Sequence, residues 1–261
     1  MLGKLFKHEL KATTRFLAPI YMILLLLSIM DRIVLNLDIF PGALQVIPGF
    51  ITFAYVIAII AVIAVTFIVM VMRFYKNLMT DEGYLMFTLP VKSHELINSK
   101  LLIATGWTIL SVLAVILSLL IVFFDPTHMD SFWEIVKSAI AEIKAEFGGN
   151  FVLLIIEFVI MMLFSIISNI MMIYVSIAVG QLFNGHKLIG AFVSYIGINV
   201  TIQIIVSIFL VIISLIFKET ITDINALPEL VFPITITSLI ISTGIFYWAT
   251  DYIFRKKLNL E

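Results

Sequence analysis

The chain has 261 residues, of which 62% are apolar and only 13% charged, and its mean hydropathy is +1.17. Soluble domains are about 45–50% apolar and about 25% charged, so a soluble enzyme, a nucleic-acid-binding domain and a disordered chain are all excluded as descriptions of it. Sixteen basic and seventeen acidic residues nearly cancel, and there is no Cys. The position of the charges is therefore informative where their sum is not, and disulfides, thiolate nucleophiles and Cys-ligated metals are ruled out. The composition predicts a single transmembrane domain over residues 1–261.

Residues 2–17 place Leu2, Leu5, Phe6, Leu10, Thr13 and Leu17 at helical spacing, with Lys4, Lys7, Lys11 and Arg15 mainly on the other side. This pattern predicts an amphipathic interfacial helix over 1–16 on the inner leaflet, anchoring the first span or also meeting a cytosolic partner. A membrane-crossing helix needs about 20 mostly apolar residues. Six stretches qualify, at about 17–36, 48–72, 99–124, 150–182, 188–217 and 233–253. Their apolar runs are continuous rather than alternating, which selects helices over a β-barrel. The first run is followed by Ser28-Ile29-Met30-Asp31-Arg32, which has no small-x-small cleavage pattern, so it is expected to be retained. The fold class expected is an all-α polytopic membrane protein.

Orientation follows from Lys and Arg in the connecting segments. With the N-terminus inside, twelve of the sixteen cations fall inside and four outside. Both termini are then cytoplasmic, and the chain is a multi-pass protein of a cell membrane. In the second span, Ala54, Ala58 and Ala61 form a small-residue face suited to close helix contact. On the outer side, residues 131–147 predict a further amphipathic helix. Ser131 and Glu134 match a capping box, Phe132, Val136, Ala139, Ile140, Ile143 and Phe147 recur at helical spacing, and Gly148-Gly149 ends it.

The inner loop 73–98 is the most distinctive segment. It contains Asp81-Glu82-Gly83-Tyr84-Leu85-Met86-Phe87-Thr88-Leu89-Pro90-Val91. Large apolar side chains in a cytosolic loop need a cover. Two covers fit: a partner's groove receiving a short helix, or the bilayer and the inner ends of the spans.

Six spans, cytosolic termini, an amphipathic N-terminal helix and this loop motif together resemble the permease subunit of ABC-2 type transporters, also called type V ABC exporters. The likeness is to the small bacterial, Firmicutes-like permeases. It covers the whole chain in layout and about 25 residues in detail. The resemblance implies that the loop is a coupling helix seated on a separate ABC ATPase subunit, with Asp81, Glu82, Gly83, Tyr84, Leu85, Met86, Phe87, Thr88, Leu89 and Pro90 in contact. The short loop carrying Asn184, His186 and Lys187 would be the second point of contact. It also implies a second permease copy or a paralogue as partner, membrane lipids around it, and ATP with Mg held by the ATPase. Family members often carry a re-entrant helical pair between spans five and six, where this chain offers only residues 218–232.

No catalytic site is expected in this chain. Gly180-Gln181-Leu182-Phe183-Asn184-Gly185-His186-Lys187 approaches a phosphate-binding loop. However, His186 separates Gly185 from Lys187 and Leu188 replaces the hydroxyl, so the pattern fails. The four His residues (His8, His94, His128 and His186) lie on separate segments and form no metal motif. Polar residues inside the spans are the other candidates. Glu157 lies in the fourth span, where an ionised group costs several kcal/mol unless it is paired, hydrated or neutral. Ser165, Ser168 and Asn169 accompany it, and Asn199, Gln203 and Ser207 repeat every four residues in the fifth span. These stripes predict either interhelical hydrogen bonding or the lining of a wet pathway. The function expected is the transmembrane subunit of an ATP-driven exporter, with an amphipathic peptide, toxin or antimicrobial as cargo. A secondary transporter or channel and a non-transport scaffold are the alternatives, and neither calls for an ATPase partner.

Overall fold

The computed structural model describes residues 2–37, 46–79, 92–123, 129–183, 185–216 and 227–256. Within them the chain forms seven α-helices: α1 (Leu2–Leu37), α2 (Val46–Met79), α3 (Ser93–Phe123), α4 (Met129–Phe147), α5 (Phe151–Gly180), α6 (Lys187–Ile216) and α7 (Phe232–Lys256). A 3₁₀ turn, Gly148–Asn150, joins α4 to α5, and a π turn, Leu227–Val231, leads into α7. Six helices are long and apolar enough to cross a membrane, and among the described residues there is no strand. Isoleucines, leucines and phenylalanines stand exposed along all six. The chain is thus an all-helical protein with multi-pass membrane architecture.

The element boundaries differ from the sequence expectation in instructive ways. The interfacial helix expected over 1–16 is not a separate element but the first part of α1, which continues unbroken to Leu37 for about 54 Å. Pro19 lies inside it. Proline removes one helical hydrogen bond, a loss that neighbouring helices and local adjustment offset in membrane helices. The packed face of α1 agrees with the predicted one at Thr13 and Leu17 and departs from it at Leu10. Its buried residues are Glu9, Thr13, Leu17, Tyr21, Leu24, Ser28 and Asp31, whereas Leu10 is exposed. Steps of three and four residues keep this stripe on one side, and polar groups (Glu9, Thr13, Ser28 and Asp31) share it with Leu17, Tyr21 and Leu24.

The expected loop 73–98 is shortened from both sides, because α2 runs on to Met79 and α3 begins at Ser93. Residues 80–91, which include the whole predicted coupling motif from Asp81 to Pro90, lie outside the described residues. Helix α4 begins at Met129, two residues before the predicted Ser131 cap, so the capping-box expectation is displaced. The predicted stop holds: Gly148 adopts φ +51°, a conformation costly for residues with a side chain.

Two compact units divide the chain. The first comprises Met1–Phe74 and Glu95–Phe132; the second comprises Tyr75–His94 and Trp133–Glu261. The first is built on α1, most of α2 and most of α3. Its apolar core contains Leu17, Leu24, Val62, Met70, Phe74, Ile97, Ile103 and Trp107. In the second, α5 packs on both α6 and α7. Burial is concentrated in the C-terminal half of α5, from Met171 to Ala178, and in Ala191, Phe246, Ile253 and Phe254. Gly180 permits the tight turn from α5 to α6: a Cβ there would stand 2.5 Å from the backbone nitrogen of Ala191.

Hydroxyl side chains in these apolar helices bond back to the preceding turn. Thr66 donates to Val62, Ser118 to Val115, Ser176 to Met172 and Thr250 to Phe246. Each polar hydrogen is thereby satisfied within its own helix, as a nonaqueous surrounding requires.

Candidate functional site

The polar assembly of the first unit is built around Glu9. Its Oε2 accepts a hydrogen bond from Arg73 Nε at 3.0 Å and forms an ion pair with Arg73 Nη2 at 2.9 Å, and its Oε1 accepts a hydrogen bond from Lys100 Nζ at 2.9 Å. Glu9 and Lys100 are each only 5% exposed. Three helices are therefore clamped by one carboxylate: α1 through Glu9, α2 through Arg73 and α3 through Lys100. Charge-assisted hydrogen bonds of this kind are shorter and stronger than neutral ones. Their burial also makes them unforgiving, because removing one partner leaves an uncompensated charge away from water.

A ladder of neutral polar contacts continues along the same core. Thr13 Oγ1 donates to the carbonyl of Glu9 and accepts from Trp107 Nε1 at 2.8 Å. Tyr21 bonds Thr66 at 2.9 Å while its ring meets that of Trp107 edge-on, with centroids 5.7 Å apart. Further along, Tyr55 bonds Ser118 at 3.1 Å, and Thr52 donates to Asp31 at 2.6 Å. The residue steps along α2 and α3 match between the Arg73–Lys100 level and the Tyr55–Ser118 level, so the two helices hold one antiparallel register throughout. Glu9 and Asp31 lie about 33 Å apart along α1, close to the thickness of a bilayer core.

The second unit has its own polar anchor. Ser93, the first residue of α3, donates to Asp251 Oδ1 at 2.7 Å and accepts from Arg255 Nε at 3.1 Å. Arg255 Nε also pairs with Asp251 Oδ2 at 2.9 Å. The start of α3 is thereby tied to the last turns of α7. Residues 80–91 are consequently flanked by two anchors: Arg73 and Lys100 with Glu9 in the first unit, and Ser93 with Asp251 and Arg255 in the second.

The predicted coupling residues in the α5–α6 connection are described in part. Asn184 lies outside the described residues, His186 is exposed, and Lys187 opens α6 half-buried. His186 contributes its carbonyl, which accepts from the Gly190 N–H at 2.9 Å in the first turn of α6. Next to them Gln181 is buried, and neither amide atom of its side chain has a hydrogen-bond partner among the described residues.

The two predicted pathway stripes are not brought against each other. Ser168 is buried and stands 3.3 Å from Ser242 of α7, not against α6. Ser165 and Asn169 are exposed, as are Gln203 and Ser207. Gln203 donates to Asn199 at 2.7 Å, one turn away on the same helix. Glu157 is half-buried, and its Oε2 is buried with no hydrogen-bond partner among the described residues.

Glu9, Arg73, Lys100, Ser93, Asp251 and Arg255 were not singled out by sequence reasoning. Arg73, Lys100 and Arg255 counted there only as cytosolic charges. One signal was available: Glu9 is the only acidic residue before Asp31, in a helix otherwise rich in cations. Its step of four from Thr13 places it on the inward stripe. The chain matches no protein-family model, no curated protein and no solved structure.

Proposed function

We propose that this chain is the membrane subunit of an ATP-driven exporter of the ABC-2 type, working as a pair of permease copies or with a paralogue, above separate ATPase subunits. The observation that carries this reading is the double anchoring around residues 80–91. A force applied to that segment is delivered through Arg73 and Lys100 to α1, and through Ser93 to α7, because a clamped ion triad and a packed hydrogen bond transmit displacement rather than absorb it. In this reading Tyr84 to Pro90 receive the push of the ATPase, and the α5–α6 connection around His186 and Lys187 is the second contact. Both lie on the cytoplasmic side, with both termini, in a bacterial cell membrane.

The outward polar side chains support a paired permease. Gln203 and Ser207 on α6, and Ser165 and Asn169 on α5, are exposed amid apolar surface that lipid would cover, with Asn199 half-buried beside Gln203. Polar groups facing lipid are costly, whereas a second copy or a wet path between copies would cover them favourably. Hydroxyl and amide groups among leucines and isoleucines suit an amphipathic cargo such as a peptide, toxin or antimicrobial.

The test is a mild-detergent pull-down of the full chain from its native cell, followed by an ATPase assay on the purified complex. A stoichiometric nucleotide-binding subunit, lost on Phe87→Asp or Tyr84→Asp, is the expected result. A chain recovered alone, or one whose ATPase association survives both substitutions, would overturn the coupling assignment. Once a cargo is known, Glu157→Gln is expected to alter its export while assembly is retained, and unchanged export would remove Glu157 from the pathway.

A further inference from the structure

Asp31 is a buried carboxylate that the exporter reading does not use. It lies on the packed stripe of α1, 1% exposed, about 9 Å along the axis from the end of that helix. Its Oδ1 accepts from Thr52 at 2.6 Å. Its Oδ2 is buried and has no hydrogen-bond partner among the described residues. An orphaned carboxylate oxygen in a core requires an explanation, because the full desolvation cost of that atom is otherwise unreturned.

Counting protons around it narrows the explanation. The Thr52 hydroxyl hydrogen is committed to Asp31 Oδ1. Ser28, one turn back on the same face of α1 and fully buried, commits its hydrogen to the Leu25 carbonyl at 2.8 Å. Ser118 commits its hydrogen to the Val115 carbonyl at 2.8 Å, so the hydrogen between Tyr55 and Ser118 is donated by Tyr55. Arg32, the neighbouring cation, directs Nη1 to the Ile121 carbonyl at 3.4 Å. The hydroxyl hydrogens of this end of the first unit are spent, while oxygen lone pairs on Ser28, Thr52 and Tyr55 are left over. Such a surrounding gives Oδ2 no hydroxyl donor while leaving hydroxyl oxygens as acceptors, and it matches a positive guest rather than an anion.

The charge of the guest follows from the same count. One carboxylate balances one unit of positive charge. Beside Asp31 alone a divalent ion would keep excess charge in a low-dielectric core. We infer that Asp31, with hydroxyl oxygens of the same end of the three-helix core, binds a monovalent alkali cation such as Na⁺ and draws stability from it. This inference does not depend on the exporter reading.

The experiment is thermal unfolding of the purified full chain in detergent, followed by tryptophan fluorescence. NaCl is titrated against choline chloride at constant ionic strength, with a parallel KCl series and a choline-only series at neutral and mildly acidic pH. A saturable rise in Tm of about 2–6 °C with Na⁺ is expected for the wild type. Asp31→Asn is expected to fold, since its amide supplies the missing donor, and to be indifferent to Na⁺. Thr52→Val, which loosens the carboxylate without removing it, is expected to need roughly tenfold more Na⁺ for half the effect. A wild type indifferent to both alkali ions would overturn the inference and leave Oδ2 to water. A rise on acidification alone would overturn it in favour of a proton, and a Na⁺ response that survives in Asp31→Asn would move the site elsewhere.

Discussion

The two units solve the same problem with opposite chemistry. In the first, three helices close over a core whose ends are charged and whose middle is threaded by hydroxyl groups, tyrosines and a tryptophan. In the second, the packed stretch of α5 is Met171 to Ala178, almost wholly apolar, its contacts with α6 and α7 include the close approach at Gly180 and the hydroxyl pair of Ser168 with Ser242, and the charged pair of Asp251 and Arg255, met by Ser93, is confined to the last turns of α7. Lipid tails are as apolar as leucine, so apolar packing in a membrane holds helices by shape alone. Polar contacts add direction and register. The first unit is therefore expected to behave as a rigid, uniquely registered body, and the second as one whose helices are set by fit.

The sharpest way to break this contrast is Glu9→Gln. It removes the carboxylate that joins Arg73 and Lys100, and a buried pair broken on one side costs about 3–5 kcal/mol. Denaturant or heat unfolding of the full chain reads the loss, and limited proteolysis is expected to open α1 first. The double substitution Glu9→Gln with Lys100→Met is expected to recover much of that loss, since the penalty comes from the unpaired charge. No recovery would show that the triad acts through geometry instead.

The next largest effect falls in the second unit. Gly180→Ala places a methyl group 2.5–2.7 Å from backbone and side-chain atoms of Ala191. The α5–α6 turn must move apart, at a cost of about 1–3 kcal/mol, measurable as a lower Tm with the first unit's protease resistance unchanged. Trp107→Phe keeps most of the ring packing and deletes the hydrogen bond to Thr13, for about 1 kcal/mol. Ser242→Ala is the smallest, at roughly 0.6 kcal/mol or less, the usual worth of an interhelical hydroxyl contact in lipid. A loss from Ser242→Ala as large as that from Trp107→Phe would erase the distinction between the units.

Much of the architecture was legible before any coordinates. Long unbroken apolar runs identify spans because a backbone in lipid has to satisfy itself locally, and the six runs correspond to six helices with ends displaced by up to seven residues, apart from the start of α1, which takes in the predicted interfacial helix. The displacements occur where local pattern is weakest. Residues 73–79 and 93–98 carry enough charge to read as loop, yet Arg73 and Lys100 are satisfied by a carboxylate distant in sequence, which lets the helices continue past the apolar core. Leu10 departs from its predicted place for a related reason: amphipathic pattern ranks leucine inward, whereas Glu9 beside it is drawn inward by two cations from other helices. Helical period groups the polar residues of α5 and of α6, but it cannot say which neighbour each of them meets. Ser168 meets α7 instead of α6.

By itself, then, the amino-acid sequence determined the medium, the number of membrane-crossing helices and their approximate limits, because these depend on transfer of local segments out of water. Only the tertiary structure decided which charges are buried and with whom. Glu9 finds Arg73 and Lys100, Ser93 finds Asp251 and Arg255, and Asp31 keeps one oxygen without a hydrogen-bond partner among the described residues. Those outcomes depend on groups brought together from positions some twenty to about 160 residues apart, and the energy of a charge in a nonpolar core is set by its few nearest partners rather than by its place in the chain.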